Sequence, residues 1–320
     1  MKTLSRIVLL VLVALPQVAF GQTYPSRPIR LIVPYAAGGA VDALCRPLAQ
    51  KITELTGQPV IVDNRPGANA TLGTDIVAKS APDGYTIVMT SINHYLVPFF
   101  SKNVPYDAMR DFTPIVIVTV VPNILAVHPS LPVKSITELI EYGKKNPGKL
   151  FFGTTGIGST HQLGGIMLAQ MAGIDLEHVP YKGGNPTISD LLAGAIPMAI
   201  LTATTILPHA RQGKLRALAV IEAKRARAAP ELPTVGETVS GYAIPETWLG
   251  VLGPAKMPHP VAESVNAIIR KTISAPDVIA RLENLGFDVT GNTLEEFAAA
   301  VHSDTEVIRK IVTTAGIKPE

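Results

Sequence analysis

Two short glycine-bearing stretches carry the residue types from which a small-molecule site could be built. The first lies within Ile29 to Arg46, reading I-R-L-I-V-P-Y-A-A-G-G-A-V-D-A-L-C-R. The second is Gly153-Thr154-Thr155-Gly156-Ile157-Gly158-Ser159-Thr160-His161. In each, a short apolar run precedes the glycines and a helical pattern follows them. Strand, glycine turn, helix is an anion-holding geometry. Glycine lets the backbone approach a ligand, and the helix start offers unpaired N–H groups at the positive end of its dipole. Hydroxyls on Thr154, Thr155, Ser159 and Thr160 make the second stretch a neutral, donor-rich cradle suited to a carboxylate. Two such cradles suit two carboxylates, or one carboxylate and a polar group.

Other chemistries fit less well. Neither stretch has the lysine that a phosphate loop places after its last glycine, and neither has the G-x-G-x-x-G spacing of a dinucleotide turn. Ser159 and His161 could be assembled with a distant Asp into a hydrolase triad, but no G-x-S-x-G elbow is present. Residues i and i+2 at a helix start also do not face each other. The seven histidines show no H-E-x-x-H or other ligand spacing, so neither a metal nor a cofactor is expected. Cys45 is the only cysteine, which excludes a disulfide within the chain. Its helical spacing with Val41, Leu44 and Leu48 marks a core residue.

The elements around these stretches alternate. Strands are expected at Ile29–Val33, Pro59–Asp63 and Tyr85–Thr90, with helices from near Ala40 and over Thr71–Lys79, which implies a parallel sheet covered by helices. Two Val/Ile runs, Ile115–Val121 and Ile124–Val127, are broken by Pro122-Asn123, where the chain is expected to cross into a second lobe. There the pattern restarts: helix Ser135–Lys145, strand Leu150–Gly153, helix Thr160–Ala172, a short strand ending at Pro180, and helix Pro186–Ala193. Strands Met198–Leu201 and Arg216–Ile221 follow. Trp248–Leu252 reads as a returning strand, and three amphipathic helices over Val261–Ser274, Asp277–Leu285 and Leu294–Thr314 pack back on the first lobe, with no further sheet. The organisation is a first domain of residues 22–122 plus 245–320 with a second, 123–244, inserted. Two crossings, near Val121-Pro122 and Ile244-Pro245, make a hinge, and the cleft between such lobes is where small ligands bind.

The chain has 320 residues, enough for two cores. Residues 1–21 read as a signal peptide, with Lys2 and Arg6 before an apolar run from Ile7 to Leu15 and small residues at a cleavage site after Gly21. Removing it takes the basic count from 28 to 26, against 25 acidic residues. That near-neutral balance gives no indication of nucleic-acid binding. A soluble protein outside the cytoplasm is expected.

The order of several motifs resembles the Bug-type, TctC-like extracytoplasmic solute receptors, the binding components of tripartite tricarboxylate transporters. The likeness rests on Tyr24-Pro25-Ser26-Arg27-Pro28-Ile29, Val33-Pro34 to Gly38-Gly39 to Asp42, Asn64-Arg65-Pro66-Gly67-Ala68 and Ala81-Pro82-Asp83-Gly84-Tyr85. It continues through Asn146-Pro147-Gly148-Lys149-Leu150, Gly156 to Ser159, His178 to Gly183, Leu215 to Val220 and Leu232-Pro233-Thr234. It spans essentially the whole mature chain.

The resemblance implies an α/β, two-lobed periplasmic binding protein fold of type II kind, with two parallel or mixed sheets, flanking helices and a two-segment hinge. It implies a non-catalytic, monomeric receptor that closes on a di- or tricarboxylate or an aromatic acid and delivers it to membrane transporter subunits. A hydrolase on the same fold, or a sensor for a two-component system, are the alternatives. Carried onto this chain, the family's gripping loops fall on Ala36, Ala37, Gly38, Gly39 and Asp42 in the first lobe and on Thr154, Gly158, Ser159 and Thr160 in the second. Thr90, Ser91 and Asn93, and across from them Tyr181, Thr202 and Ala203, would line the sides. The family usually has a proline pair at Ala36-Ala37 and a hydroxyl residue at Val41, so one donor is missing here. Asp42, in the first helical turn, can cap loop N–H groups as well as touch ligand. Of the bulky apolar residues near the cleft, Ile92, Tyr95, Ile157 and Trp248 could admit an aromatic acid or serve as packing.

Overall fold

The computed structural model describes residues 24–319, and the expected signal peptide lies outside them. The opening βα units are β1 (Ile29–Val33), α1 (Ala40–Thr56), β2 (Val60–Asn64), α2 (Thr71–Ala78) and β3 (Thr86–Ser91). α1 stops at Gly57, whose left-handed backbone turns its N–H back onto Thr53 O. A helix that the sequence pattern does not announce, α3 (Asn93–Phe100), follows β3 directly. β4 (Phe112–Val120) then ends beside Val121-Pro122, and β5 (Asn123–Val127) opens a second sheet.

The second lobe runs α4 (Ile136–Lys145), β6 (Phe151–Thr154), α5 (Thr160–Ala172), β7 (Glu177–Pro180), α6 (Gly184–Leu192), β8 (Met198–Thr202), α7 (Ala203–Arg211) and β9 (Arg216–Val220). The chain returns through β10 (Trp248–Pro254), α8 (His259–Ile273), α9 (Pro276–Asn284), β11 (Asp288–Val289) and α10 (Leu294–Thr314). A Thr293/Glu296 capping box fixes the start of α10.

Both sheets are mixed. The first has the order β2-β1-β3-β10-β4-β11, with β2, β1 and β3 parallel and β10 antiparallel to both its neighbours. The second has the order β7-β6-β8-β5-β9, with β5 antiparallel to β8 and β9. The opening strands β2, β1 and β3 form the parallel unit expected from their alternation, and the returning strand makes the sheet mixed by inserting antiparallel between β3 and β4. The tail also adds the two-residue strand β11 at the edge of that sheet, where no further strand was expected.

Alternation along the strands builds the cores. Ile29, Leu31 and Val33 face a cluster with Leu44, Leu48 and Val265 under α1 and α8, whereas Ile32 faces the opposite cluster with Val88, Trp248 and Phe297. Leu163 of α5, a second-lobe residue, is a fully buried member of that opposite cluster. No helix among the described residues is long and apolar enough to cross a membrane.

Candidate functional site

Three parallel strands of the first sheet, β2, β1 and β3, end on the same edge, and the loops after the outer two reach the second lobe. After β2, Asn69 Nδ2 donates to Ile157 O at 2.8 Å. After β3, Asn93 Oδ1 accepts from the Thr160 N–H at 3.0 Å. The loop after β1, Tyr35 to Gly39, lies between them because β1 lies between β2 and β3. A site therefore has the first glycine turn as its floor and the second as its roof, with an asparagine bridge on each flank.

The floor is open. Ala36, Ala37 and Gly38 are exposed, and α1 has no side-chain cap. The N–H groups of Ala40, Val41 and Asp42 have no hydrogen-bond partner among the described residues. Gly38 and Gly39 spend their own N–H groups inside the loop, on Asp42 Oδ2 at 2.9 Å and Ala36 O at 3.3 Å. Gly38 and Gly39 thus shape the turn, and the free donors are the next three N–H groups, those of the helix start.

Asp42 takes the capping role of the two open to it. It is 2% exposed, and its oxygens hold Gly38 N–H and the Arg46 guanidinium at 2.8 and 2.9 Å. Burial works to raise its pKa, but bonds from Arg46, Gly38 N–H and Asn64, with the Arg46 charge, outweigh it and hold the carboxyl below its usual range.

In the roof the side chains are already bonded. Ser159 caps α5 by accepting from Gln162 N–H at 3.2 Å and donates to Gly156 O at 2.7 Å. Thr154 Oγ1 pairs with His178 Nε2 at 2.7 Å, and Thr155 Oγ1 with His161 Nδ1 at 2.9 Å. Thr160 Oγ1 accepts from Thr247 Oγ1 at 3.0 Å. The roof hydroxyls expected to await a ligand are thus engaged, while the N–H groups of Ser159 and His161 have no partner among the described residues. Gly158, at φ 73°, lies against α3, where an added Cβ would stand 3.3 Å from Val97 Cα. Ser159 and His161 do not bond each other, so the pair offers no nucleophile and base.

Side residues fall in three groups. Ser91 Oγ pairs with Tyr35 Oη at 3.1 Å, and buried Thr90 Oγ1 is without a hydrogen-bond partner among the described residues. Tyr181 Oη donates to Asp190 at 2.7 Å, and burial followed by that carboxylate pushes its pKa up to about 12. Thr202 Oγ1 joins Thr204 and Thr205 in a hydroxyl cluster at the start of α7, whereas Ala203 is buried and spends its N–H on Pro122 O at 2.7 Å. Ile92, Tyr95 and Trp248 are buried packing residues, and Ile157 alone of the four apolar candidates is exposed.

Sequence reasoning missed Asn69, Asn123, Glu222 and Thr247. Asn69 had one local signal, its place in an A-N-A run after Gly67. Ala68, Asn69 and Ala70 take φ of 45°, 52° and 71°, a left-handed run that non-glycine residues rarely adopt.

A model of the receptors of the tripartite tricarboxylate transporter family (TctC) matches residues 44–317. The chain belongs to this family. It is 40% identical over 291 residues to the UPF0065 protein in the tcbD-tcbE intergenic region of Pseudomonas sp. (strain P51), covering 90% of this chain and 86% of the relative. Rpa4515 of R. palustris, solved with adipate, is similar at 32% identity and TM-score 0.86, covering 93% of this chain and 100% of that one. The periplasmic binding protein BugD is similar at 33% identity and TM-score 0.83, with 93% and 100% coverage. This receptor therefore has the Bug/TctC-type α/β fold, two mixed sheets with flanking helices.

Proposed function

We propose that this receptor is a periplasmic, non-catalytic and monomeric solute-binding protein that closes on an organic carboxylate. It then passes the ligand to a membrane transporter of the tripartite tricarboxylate type. The observation that carries the reading is the uncapped start of α1, framed between two asparagine bridges and facing the second glycine turn. Unpaired N–H groups at the positive end of a helix favour an anion without a fixed cation. A structural relative solved with adipate, a dicarboxylate, supports the same chemistry.

On this reading residues 22–122 with 245–320 form one moving body and 123–244 the other. Ala36, Ala37 and the Ala40–Asp42 N–H groups meet one carboxylate. The Ser159 and His161 N–H groups meet the second carboxylate or a polar group, and Ser91, Thr90, Tyr181 and Thr202 line the sides.

A melting-temperature screen of the purified protein against adipate, shorter dicarboxylates, tricarboxylates and aromatic acids tests this. A ligand at about 100 times its Kd stabilises by about 2.7 kcal/mol. A midpoint unmoved by every organic anion would sink the proposal.

A further inference from the structure

The hydroxyls of the second glycine turn are bonded onward, through the hinge, to a buried carboxylate. Glu222 follows β9 and is 3% exposed. Among the described residues it has no cationic partner, and its oxygens accept from Asn123: from the backbone N–H at 3.0 and 3.2 Å and from Nδ2 at 2.7 Å. The other Nδ2 proton goes to Thr247 Oγ1 at 2.6 Å, which turns Asn123 Oδ1 toward His161 Nε2 at 2.8 Å.

An amide oxygen only accepts, so His161 carries its proton on Nε2, and its bare Nδ1 accepts from the Thr155 hydroxyl. At the other end, Thr247 donates to Thr160, whose own proton stays free. An ionised Glu222 thus fixes every donor and acceptor as far as Thr155 and Thr160.

A proton on Glu222 reverses the chain. Placed on Oε1, it would face the Asn123 Nδ2 protons, so the amide turns by half a revolution and presents Oδ1. That oxygen accepts from Glu222 and Thr247, while Nδ2 donates to His161 Nε2. The imidazole proton then resides on Nδ1, and Thr155 accepts from it with its own hydrogen free. One proton is taken up from solvent, by Glu222. The imidazole keeps its proton count, losing one at Nε2 and gaining one at Nδ1.

The surroundings place the change on Glu222. Burial pushes its pKa up to about 8; bonds from Asn123 oppose this, and the Glu246 charge on the return crossing adds to it. Lys224 stands 3.8 Å from Glu246. Tyr242, before that crossing, has its ionisation pushed well up by burial and then by Glu222. Burial pushes His161 down to about 3, which keeps the ring neutral.

We propose that Glu222, Asn123 and His161 are positioning residues of the binding loop, and that protonation of Glu222 switches Thr155 from offering a lone pair to offering a proton, with Thr160 changing in the opposite sense. That this tunes ligand capture rests on the carboxylate reading above.

The test is 15N NMR of the histidine-labelled protein without ligand, from about pH 6 to about pH 10, with His161 assigned by its loss in His161→Gln. As pH rises, the pyridine-type shift moves from Nε2 to Nδ1. Glu222→Gln, whose amide donates to Asn123 Oδ1, holds the low-pH pattern throughout. An unchanged His161 pattern in the wild type, protonation of both its nitrogens, or a Glu222→Gln protein that still switches would each overturn the proposal. If Glu222→Gln does not fold, the wild-type titration decides alone. With no ligand present, failure here leaves the carboxylate reading standing, and a flat ligand screen leaves this result standing.

Discussion

The two glycine turns occupy equivalent places in their lobes and are finished in opposite ways. The first is open toward the cleft, uncapped, and pinned from behind by one buried carboxylate, Asp42. The second is capped by Ser159, has its hydroxyls engaged, and is tied to the first lobe by Asn69, Asn93 and Thr247. One turn leaves the Ala40, Val41 and Asp42 N–H groups unpaired among the described residues; the other spends its side chains on staying where it is. On the reading proposed above, an anion between them takes up the free N–H groups of both helix starts without dismantling the side-chain bonds that hold the second turn.

Removing what pins the open turn gives the largest effect. Asp42→Ala leaves the Gly38 N–H and the Arg46 guanidinium without their acceptor and is expected to cost about 2–3 kcal/mol of unfolding free energy by denaturant titration. Arg46→Ala, at an exposed partner, costs about 0–1 kcal/mol. Equal losses for the two would mean that the salt bridge, and not the cap, organises the turn.

Strain in the second turn comes next. Gly156 has φ 135°, and an added Cβ would lie 3.1 Å from Tyr181 O. Gly156→Ala should therefore cost about 1–2 kcal/mol in stability and weaken adipate binding in calorimetry. A neutral result would show that the roof is not held as tightly as its bonding implies.

The bridges are smaller. Asn93→Ala should weaken adipate binding by about 1 kcal/mol, roughly fivefold, and Asn69→Ala by about half that. Ala70→Gly should raise the melting temperature by relieving left-handed strain while lowering affinity through a looser Asn69. A gain in both would separate the strain from the bridge.

The two buried carboxylates also part in their pH dependence. Asp42 has a depressed pKa, so its contribution is present above its unfolded value of 3.8 and fades as pH falls through the folded one. Glu222 runs the other way: its contribution is fullest below the unfolded value of 4.5 and is lost as pH rises toward about 8. Melting curves of Asp42→Asn and Glu222→Gln should converge on wild type at acid pH for the first. For the second, the midpoint should fall less than that of wild type between mildly acid and alkaline pH.

Local pattern made much of this fold readable. The glycine turns, the bounds of α5 and α10, and the crossing at Pro122 follow from spacing, caps and proline chemistry. α3 and α7 escaped because Pro98 and Pro208 sit inside them and aromatic or threonine runs blur the helical period. β11 is too short for any period to show. The hinge chain is a matter of distant pairings: Asn123 and Glu222 meet across 99 positions, and in V-I-E-A-K a lone glutamate reads as surface. Of the proposed site, the sequence pointed to the two glycine turns. Which donors in them are already taken depends on contacts that no local window contains.

The strand order has a mechanical consequence. The crossing into β10 lies one strand from β3 and three from β2, lever arms of roughly 5 and 14 Å at the usual strand spacing. Leu163, buried beside Trp248, holds the near side together like the spine of a book. On the two-body reading proposed above, a given rotation would move the Asn69 edge about three times as far as the Asn93 edge, so the fore-edge would part first and a solute would enter between Asn69 and Ile157.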